Sequence, residues 1–269
     1  MRTKALAAPY IVWMVIFTVV PLAVVAYYSV TNVNGEFTFS NFVTAAEYLP
    51  VFLRSVRYAL AAAAICLVIG YPVAYVIAQS GASMQRVLYM LVMLPMCMSF
   101  LLRTLAWVAL LRDTGIINTL LAGLGIGPLS LIRNSGAVIL GMVYNYLPYM
   151  IMPLYTVIMK IDNRLIEAAQ DLGCSSAAVF RRVIFPLSVP GMISGVTMVF
   201  VPAVSTFYIS QKMGSTETIM IGDIIERQFK SASNPYLGAA MSFILMVLVF
   251  ISIGVMNRFA GDDEGVITV

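Results

Sequence analysis

The sequence predicts an all-α, polytopic integral membrane protein with six transmembrane helices, and three observations predict it. Of 269 residues, 61% are hydrophobic and only 10% are charged, against about 25% charged in soluble domains. The charges also cluster, leaving six uncharged windows: Ala5–Gly35, Tyr58–Gln85, Val87–Leu102, Asn134–Met159, Val183–Gln211 and Ser231–Asn257. A hydrocarbon core of about 30 Å takes about 20 helical residues, and five of the windows exceed that length. Val87–Leu102 reaches it only by tolerating Arg103 and running on to Leu111.

Each window carries its own signals. The first is too long for the apolar core of a signal peptide and lacks a small-residue cleavage site followed by a soluble chain. Arg2 and Lys4 before it fit a cytoplasmic N-terminus. Six spans then put both termini and the loops 79–86 and 160–185 inside, although Lys and Arg divide too evenly for charge alone to fix orientation. Tyr10, Trp13, Tyr27, Tyr28, Trp107 and Tyr236 lie near span ends, where amphipathic rings suit the interface. Pro72, Pro95, Pro148, Pro153, Pro190 and Pro202 punctuate the spans, each freeing a carbonyl that tight helix packing or a water-lined path must satisfy. Gly191 and Gly195 form a G-x-x-x-G at the start of the fifth span, suited to close contact within the chain or with another chain. Arg103 lies about 12 Å from the outer end of its span at 1.5 Å per residue, within snorkelling reach. Its expected role is structural, with backbone carbonyls as partners.

Several chemistries are excluded. The chain has no histidine, which removes imidazole acid–base work, His metal sites and a Ser-His-Asp triad. It has no G-x-x-x-x-G-K-[ST] sequence, hence no P-loop of its own. None of its twelve carboxylates lies deep in a window, whereas ion-coupled carriers bury an acidic or His relay near mid-membrane. Cys66, Cys97 and Cys174 lack metal-ligand spacing and read as small apolar fillers. No basic run suggests nucleic acid. The chain looks like a membrane pathway without an engine.

The polar stretch "EAAQDLGCSSAAVFRR" (167–182) interrupts the apolar pattern. Asn163 is the expected helix cap, and Leu165, Ala168, Ala169 and Leu172 share one face at i, i+3, i+4, i+7 spacing. Gly173 suits a helix-ending residue of positive φ. Ser175 or Ser176 can cap a second helix with Val179, Val183 and Ile184 on one side, which Pro186 is expected to close. The product is a short helix–turn–helix that serves either as a connector on lipid headgroups or as a docking surface.

This stretch resembles the EAA loop of bacterial ABC importer permeases: Glu167-Ala168-Ala169, then Gly173, then Val183-Ile184-Phe185-Pro186, with Val183 and Phe185 in place of the usual Ile and Leu. The segments 93–121, 144–155, 171–195 and 219–229 extend the resemblance over nearly the whole chain, to the spermidine/putrescine permease family. The resemblance implies a type I (MetI-like) importer permease, a single transmembrane domain over 1–269 with the coupling loop 160–186 inside it. It makes Glu167, Ala168, Ala169, Asp171 and Gly173 the contact with two copies of an ABC ATPase. It also implies a second permease, an extracytoplasmic binding protein, and residence in the bacterial cytoplasmic membrane. ATP and Mg would be bound by the ATPase, this chain holding no cofactor or metal and being no enzyme.

For a polyamine, aromatic faces and carboxylates are candidate path residues, since a cation over a ring gains about 0.5–2 kcal/mol. Tyr144 and Tyr155 are nearly on one face of the fourth span, and Tyr146 and Tyr149 on another. Phe207 and Tyr208 follow late in the fifth. Asp223 and Glu226, on one helical side, form an acidic patch before the sixth. Tyr144, Tyr149, Phe207, Tyr208, Asp223 and Glu226 are therefore the path candidates, with ordinary packing the competing role for each ring. Two rival functions are the same architecture with another cargo, ferric iron or an organophosphonate, and a secondary transporter or channel needing no ATPase.

Overall fold

The computed structural model describes residues 9–232 and 234–260. Arg2 and Lys4, on which the cytoplasmic N-terminus was argued, lie outside the described residues. The chain runs through α1 (Pro9–Ser29), the short α2 (Ser40–Ala46), α3 (Leu49–Gln79), α4 (Ala82–Cys97), α5 (Phe100–Leu111) and α6 (Ile116–Gly123). It continues through α7 (Ser135–Met159), α8 (Asn163–Asp171), α9 (Ser176–Ser205), α10 (Tyr208–Met213), α11 (Ile221–Lys230) and α12 (Pro235–Arg258). Five helices, α1, α3, α7, α9 and α12, are long and apolar enough to cross a membrane, and the bent α4–α6 segment makes a sixth.

That sixth span differs from the straight helix expected from sequence. Ala82–Cys97 and Phe100–Gly123 meet at 90°. Pro95 has no N–H to continue the helix, so Leu94–Cys97 tightens into a 3₁₀ turn and Ser99 starts α5 afresh, its carbonyl accepting from the Arg103 N–H at 3.1 Å. Pro72, Pro148, Pro153, Pro190 and Pro202 all sit inside continuous helices. Arg103 does not snorkel either. It is only 7% exposed, and its Nε and Nη1 have no hydrogen-bond partner among the described residues, in place of the backbone carbonyls expected.

The core forms where α3, α7 and α9 pack on one another. Along α3, Ala59, Ala62, Ala63, Cys66, Gly70 and Ala74 are buried, and small residues let backbones approach closely where lipid supplies no hydrophobic drive. Met150 of α7, fully buried, fills the space between two glycines. A Cβ on Gly70 would lie 3.0 Å from its Cγ, and one on Gly195 would lie 2.7 Å from its Sδ. Gly191 faces Val157, 3.0 Å from a would-be Cβ, so the G-x-x-x-G packs within the chain. Cys66 is buried as a filler should be, whereas Cys97 is exposed beside the break. α1 leans on α12, with Tyr28 edge-on to Tyr236 at 5.5 Å.

Candidate functional site

The segment joining α7 to α9 is fixed by its own hydrogen bonds. Asp162 caps α8, its carboxylate accepting from the Arg164 N–H at 3.0 Å, one residue ahead of the Asn163 cap expected. At the far end of α8 the Gly173 N–H donates to the Gln170 carbonyl at 2.8 Å and the Cys174 N–H to the Ala169 carbonyl at 3.1 Å. These two bonds make a Schellman ending, which needs a left-handed residue, and Gly173 has φ +80°. A Cβ there would meet nothing within 4 Å, so the backbone angle alone calls for glycine. Ser175 caps α9 through the Ala178 N–H at 3.4 Å.

Ile166 and Ala169 are half-buried, and Ile166 closes a small cavity with Gln79 and Ser80 at the end of α3. Leu165, Ala168 and Leu172 face outward, Leu172 at 86% exposure. Glu167, Asp171 and Gly173 are exposed as well. Three of the four residues of the predicted apolar stripe are therefore turned away from the bundle, Ala169 being the exception. Pro186 does not end the second helix. The turn Phe180–Ile184 widens to a π-helix, and Pro186 then occupies the opening positions of the α-helix that follows. The wider turn absorbs the missing donor and the ring's clash with the preceding carbonyl.

Along α7 and at the opposite end, the aromatic and acidic candidates fall into different environments. Tyr144 packs on Trp107 at 5.3 Å and Tyr155 on Tyr89 at 5.2 Å, so the shared face of α7 is covered by the two limbs of the bent span. Tyr146 is buried, its hydroxyl donating to the Pro202 carbonyl at 3.4 Å, while Tyr149 beside it is 38% exposed. Lys212 Nζ lies 5.7 Å from the centre of the Tyr208 ring, so one of the chain's own cations already occupies that face. Phe207 is 40% exposed and lines a groove of about 480 Å³ with Glu226 and Leu245.

The two carboxylates are not alike. Asp223 is 5% exposed. Its Oδ2 accepts from the Ser210 hydroxyl at 2.6 Å and from the Met220 N–H at 2.8 Å, fastening the start of α11 to α10. Its Oδ1 has no partner among the described residues, and burial holds its carboxyl above the usual carboxylate range. Glu226 is held below that range, first by the Lys230 ammonium at 2.7 Å and then by the Gln211 amide. Both line a polar pocket of about 640 Å³, together with Arg133, Arg227 and Lys230. The acidic patch expected from sequence is thus a pocket of mixed charge. Arg133 and Gln211 went unnoticed in the sequence, and the nearest signal for Arg133 is structural: it sits at φ 63° with its N–H on the Met213 carbonyl at 2.9 Å.

A helical membrane bundle with a capped loop presented outward at one end and a polar pocket at the other fits a polytopic transport subunit. The chain belongs to the family described as the binding-protein-dependent transport system inner membrane component, whose model matches residues 67–261. It is similar to the spermidine/putrescine transport system permease protein PotB of Haemophilus influenzae, 35% identical over 256 residues, covering 91% of this chain and 90% of that protein. PotB of Escherichia coli strain K12 is 36% identical over 247 residues, covering 88% of this chain and 90% of that one. Among solved structures, a bacterial ABC transporter involved in the import of the acidic polysaccharide alginate shares the fold at a TM-score of 0.78 and 18% identity, covering 96% of this chain and 94% of that one. The importer-permease fold read from the sequence is the fold found.

Proposed function

We propose that this chain is the membrane permease of an ATP-driven importer for spermidine and putrescine. The observation that carries the reading is the 35% identity to a spermidine/putrescine permease over 91% of the chain. The capped, outward-facing loop supports the coupling half of it. In this reading the loop end faces the cytoplasm with both termini, and two ATPase copies, which bind ATP and Mg, seat on Glu167, Ala168, Ala169, Asp171 and Gly173. ATP-driven closure of the pair moves the two loops and tilts the spans. A second permease completes the translocation path, and a binding protein delivers cargo to the opposite end.

Along the path, Tyr149 and Phe207 offer open ring faces, and Glu226 sits between the polar pocket and the groove below it. Tyr144, Tyr208 and Asp223 contribute by holding that architecture, since a ring, a cation and two hydrogen bonds respectively already engage them.

The test is uptake of labelled cargo by the purified permease pair with its ATPase and binding protein in proteoliposomes. ATP-dependent entry of spermidine and putrescine, reduced by Asp223→Asn with Glu226→Gln, is expected. Preference for ferric iron or aminoethylphosphonate would reassign the cargo. ATP-independent uptake by this chain alone would replace the importer with a self-sufficient carrier.

A further inference from the structure

Four aromatic rings gather where the loop becomes a span, and none of them is accounted for by docking or by the path. Phe180 stands edge-on to Tyr71 at 5.7 Å and edge-on to Tyr75 at 5.6 Å, with interplanar angles of 86° and 87°. Phe185 lies 5.9 Å from the same Tyr71 ring and 6.5 Å from Phe180. Phe180 and Phe185 belong to α9, Tyr71 and Tyr75 to α3.

The π-turn makes this possible. In an α-helix, positions five apart point about 140° away from each other at 3.6 residues per turn. Here the Phe185 N–H reaches back to the Phe180 carbonyl, an i→i+5 bond that puts the two rings one turn apart on one side. Together with Tyr71 they make a three-ring cluster, every pair of centroids 5.7–6.5 Å apart. Its hydroxyl lies 2.8 Å from Ser188 Oγ, and Ser188 is 2.8 Å from the Phe185 carbonyl. A serine has one proton to give. It goes to the carbonyl, so Tyr71 donates to Ser188, and the tyrosine is held by ring and hydroxyl together.

We infer that Phe180, seated against Tyr71 and Tyr75, is the positioning residue that carries movement of the coupling loop into α3. The inference rests on the importer reading above. A displaced α8 can pull α9 through the backbone, but α3 is separate in sequence and meets the loop by packing, at these rings and around the cavity that Ile161, Ile166 and Ile184 line at its end. Edge-to-face pairs have a preferred mutual orientation and stabilise beyond the area they bury, so the contact favours one seating of Phe180 on α3. Because α3 packs along α7 and α9 through small residues, a shift given to α3 at this point moves the three-helix core as one body. Packed side chains of this kind can carry coupling between distant sites, and coupling measurements are what show it.

The experiment compares wild type, Phe180→Ala, Phe180→Tyr and Tyr71→Phe in the intact complex, reading three quantities: ATPase retained on purification, ATP hydrolysed, and spermidine imported. Phe180→Ala is expected to keep the ATPase at wild-type stoichiometry while cargo moved per ATP falls at least tenfold. Phe180→Tyr restores it. Tyr71→Phe, which keeps the ring and cuts the Ser188 bond, gives an intermediate severalfold loss. Equal cargo per ATP in wild type and Phe180→Ala overturns the inference, as does hydrolysis and import falling in proportion. If Phe180→Ala yields no intact complex, Tyr71→Phe decides alone, with unchanged cargo per ATP counting against the joint. A wild-type chain that captures no ATPase would instead remove the importer reading beneath it.

Discussion

The two ends of the molecule are built in opposite ways. At the loop end, order comes from bonds between residues two to five apart: Asp162 to Arg164, Gly173 to Gln170, Cys174 to Ala169, Ser175 to Ala178. Its charged residues are left exposed. At the far end, order comes from segments distant in sequence. Arg54 of α3 donates to the carbonyls of Ile219 and Glu217, Ser55 accepts from the Ile221 N–H at 2.8 Å, and Arg133 is tied to Met213. Its charged side chains are engaged within the chain: Glu226 with Lys230, Asp223 with Ser210 and the Met220 N–H, Lys212 with the Tyr208 ring. A surface meant for a partner keeps its polar groups free, while an end that must hold several spans together uses them internally.

The largest expected effect is at the far end. A Cβ at Gly222 would lie 2.5 Å from the Ser205 carbonyl oxygen and 2.7 Å from that of Thr206, both main chain and unable to rotate aside. Gly222→Ala is expected to cost at least about 1–3 kcal/mol, the range for overpacking, read as a fall in the melting midpoint in detergent. If the two ends are as independent as their bonding suggests, capture of the ATPase survives in the fraction that stays folded. Loss of capture in folded protein would join the two ends.

This contrast also decides what the sequence discloses. The five long spans, the Gly173 turn and the Ser175 cap were legible because each depends on hydrophobic length or on neighbours within one helical turn. The break at Pro95 was not. An uncharged window measures apolar length but not direction, and Pro72, Pro148, Pro153, Pro190 and Pro202 are accommodated without a break. Pro186 was misjudged because a π-turn, which leaves no composition signal, prepared its place. The pairing of Asp223 with Ser210 and the approach of Arg133 to the same pocket are tertiary, so a pattern of two acids three residues apart could suggest an acidic patch but not its basic neighbours. Asp223 is buried and hydrogen-bonded to Ser210 and the Met220 N–H; the i, i+3 spacing was equally consistent with exposure.

A smaller effect is expected in the loop. Placing a side chain at φ +80° costs about 1–2 kcal/mol, and Gly173 has no neighbour within 4 Å to add a clash. Opening the exposed last turn of α8 can relieve that strain locally, so Gly173→Ala should lower the melting midpoint less than Gly222→Ala does while weakening ATPase capture severalfold. A large drop in midpoint would show that the loop supports the bundle after all.

The smallest is a slope. Burial raises the Asp223 carboxyl, opposed by the bonds from Ser210 and the Met220 N–H. The folded chain then holds that proton more tightly than the unfolded one, and stability declines as pH rises from the ordinary carboxylate range through the raised value. Asp223→Asn keeps an acceptor for the Met220 N–H and removes the titration. Its melting midpoint should decline less than that of wild type between about pH 4 and about pH 7, on either side of the carboxylate region. A wild-type slope in the variant would place the titration elsewhere.

The central claim is that this chain is a pathway whose engine docks on the loop at Glu167–Gly173. The most direct measurement is to purify the tagged chain in mild detergent from its native host, quantify what accompanies it, and repeat with Glu167→Arg. The account predicts an ABC ATPase and a second permease at comparable amounts, with the ATPase lost and the permease kept in the variant. A chain that emerges alone under several gentle conditions, or an ATPase that stays bound to Glu167→Arg, would contradict it.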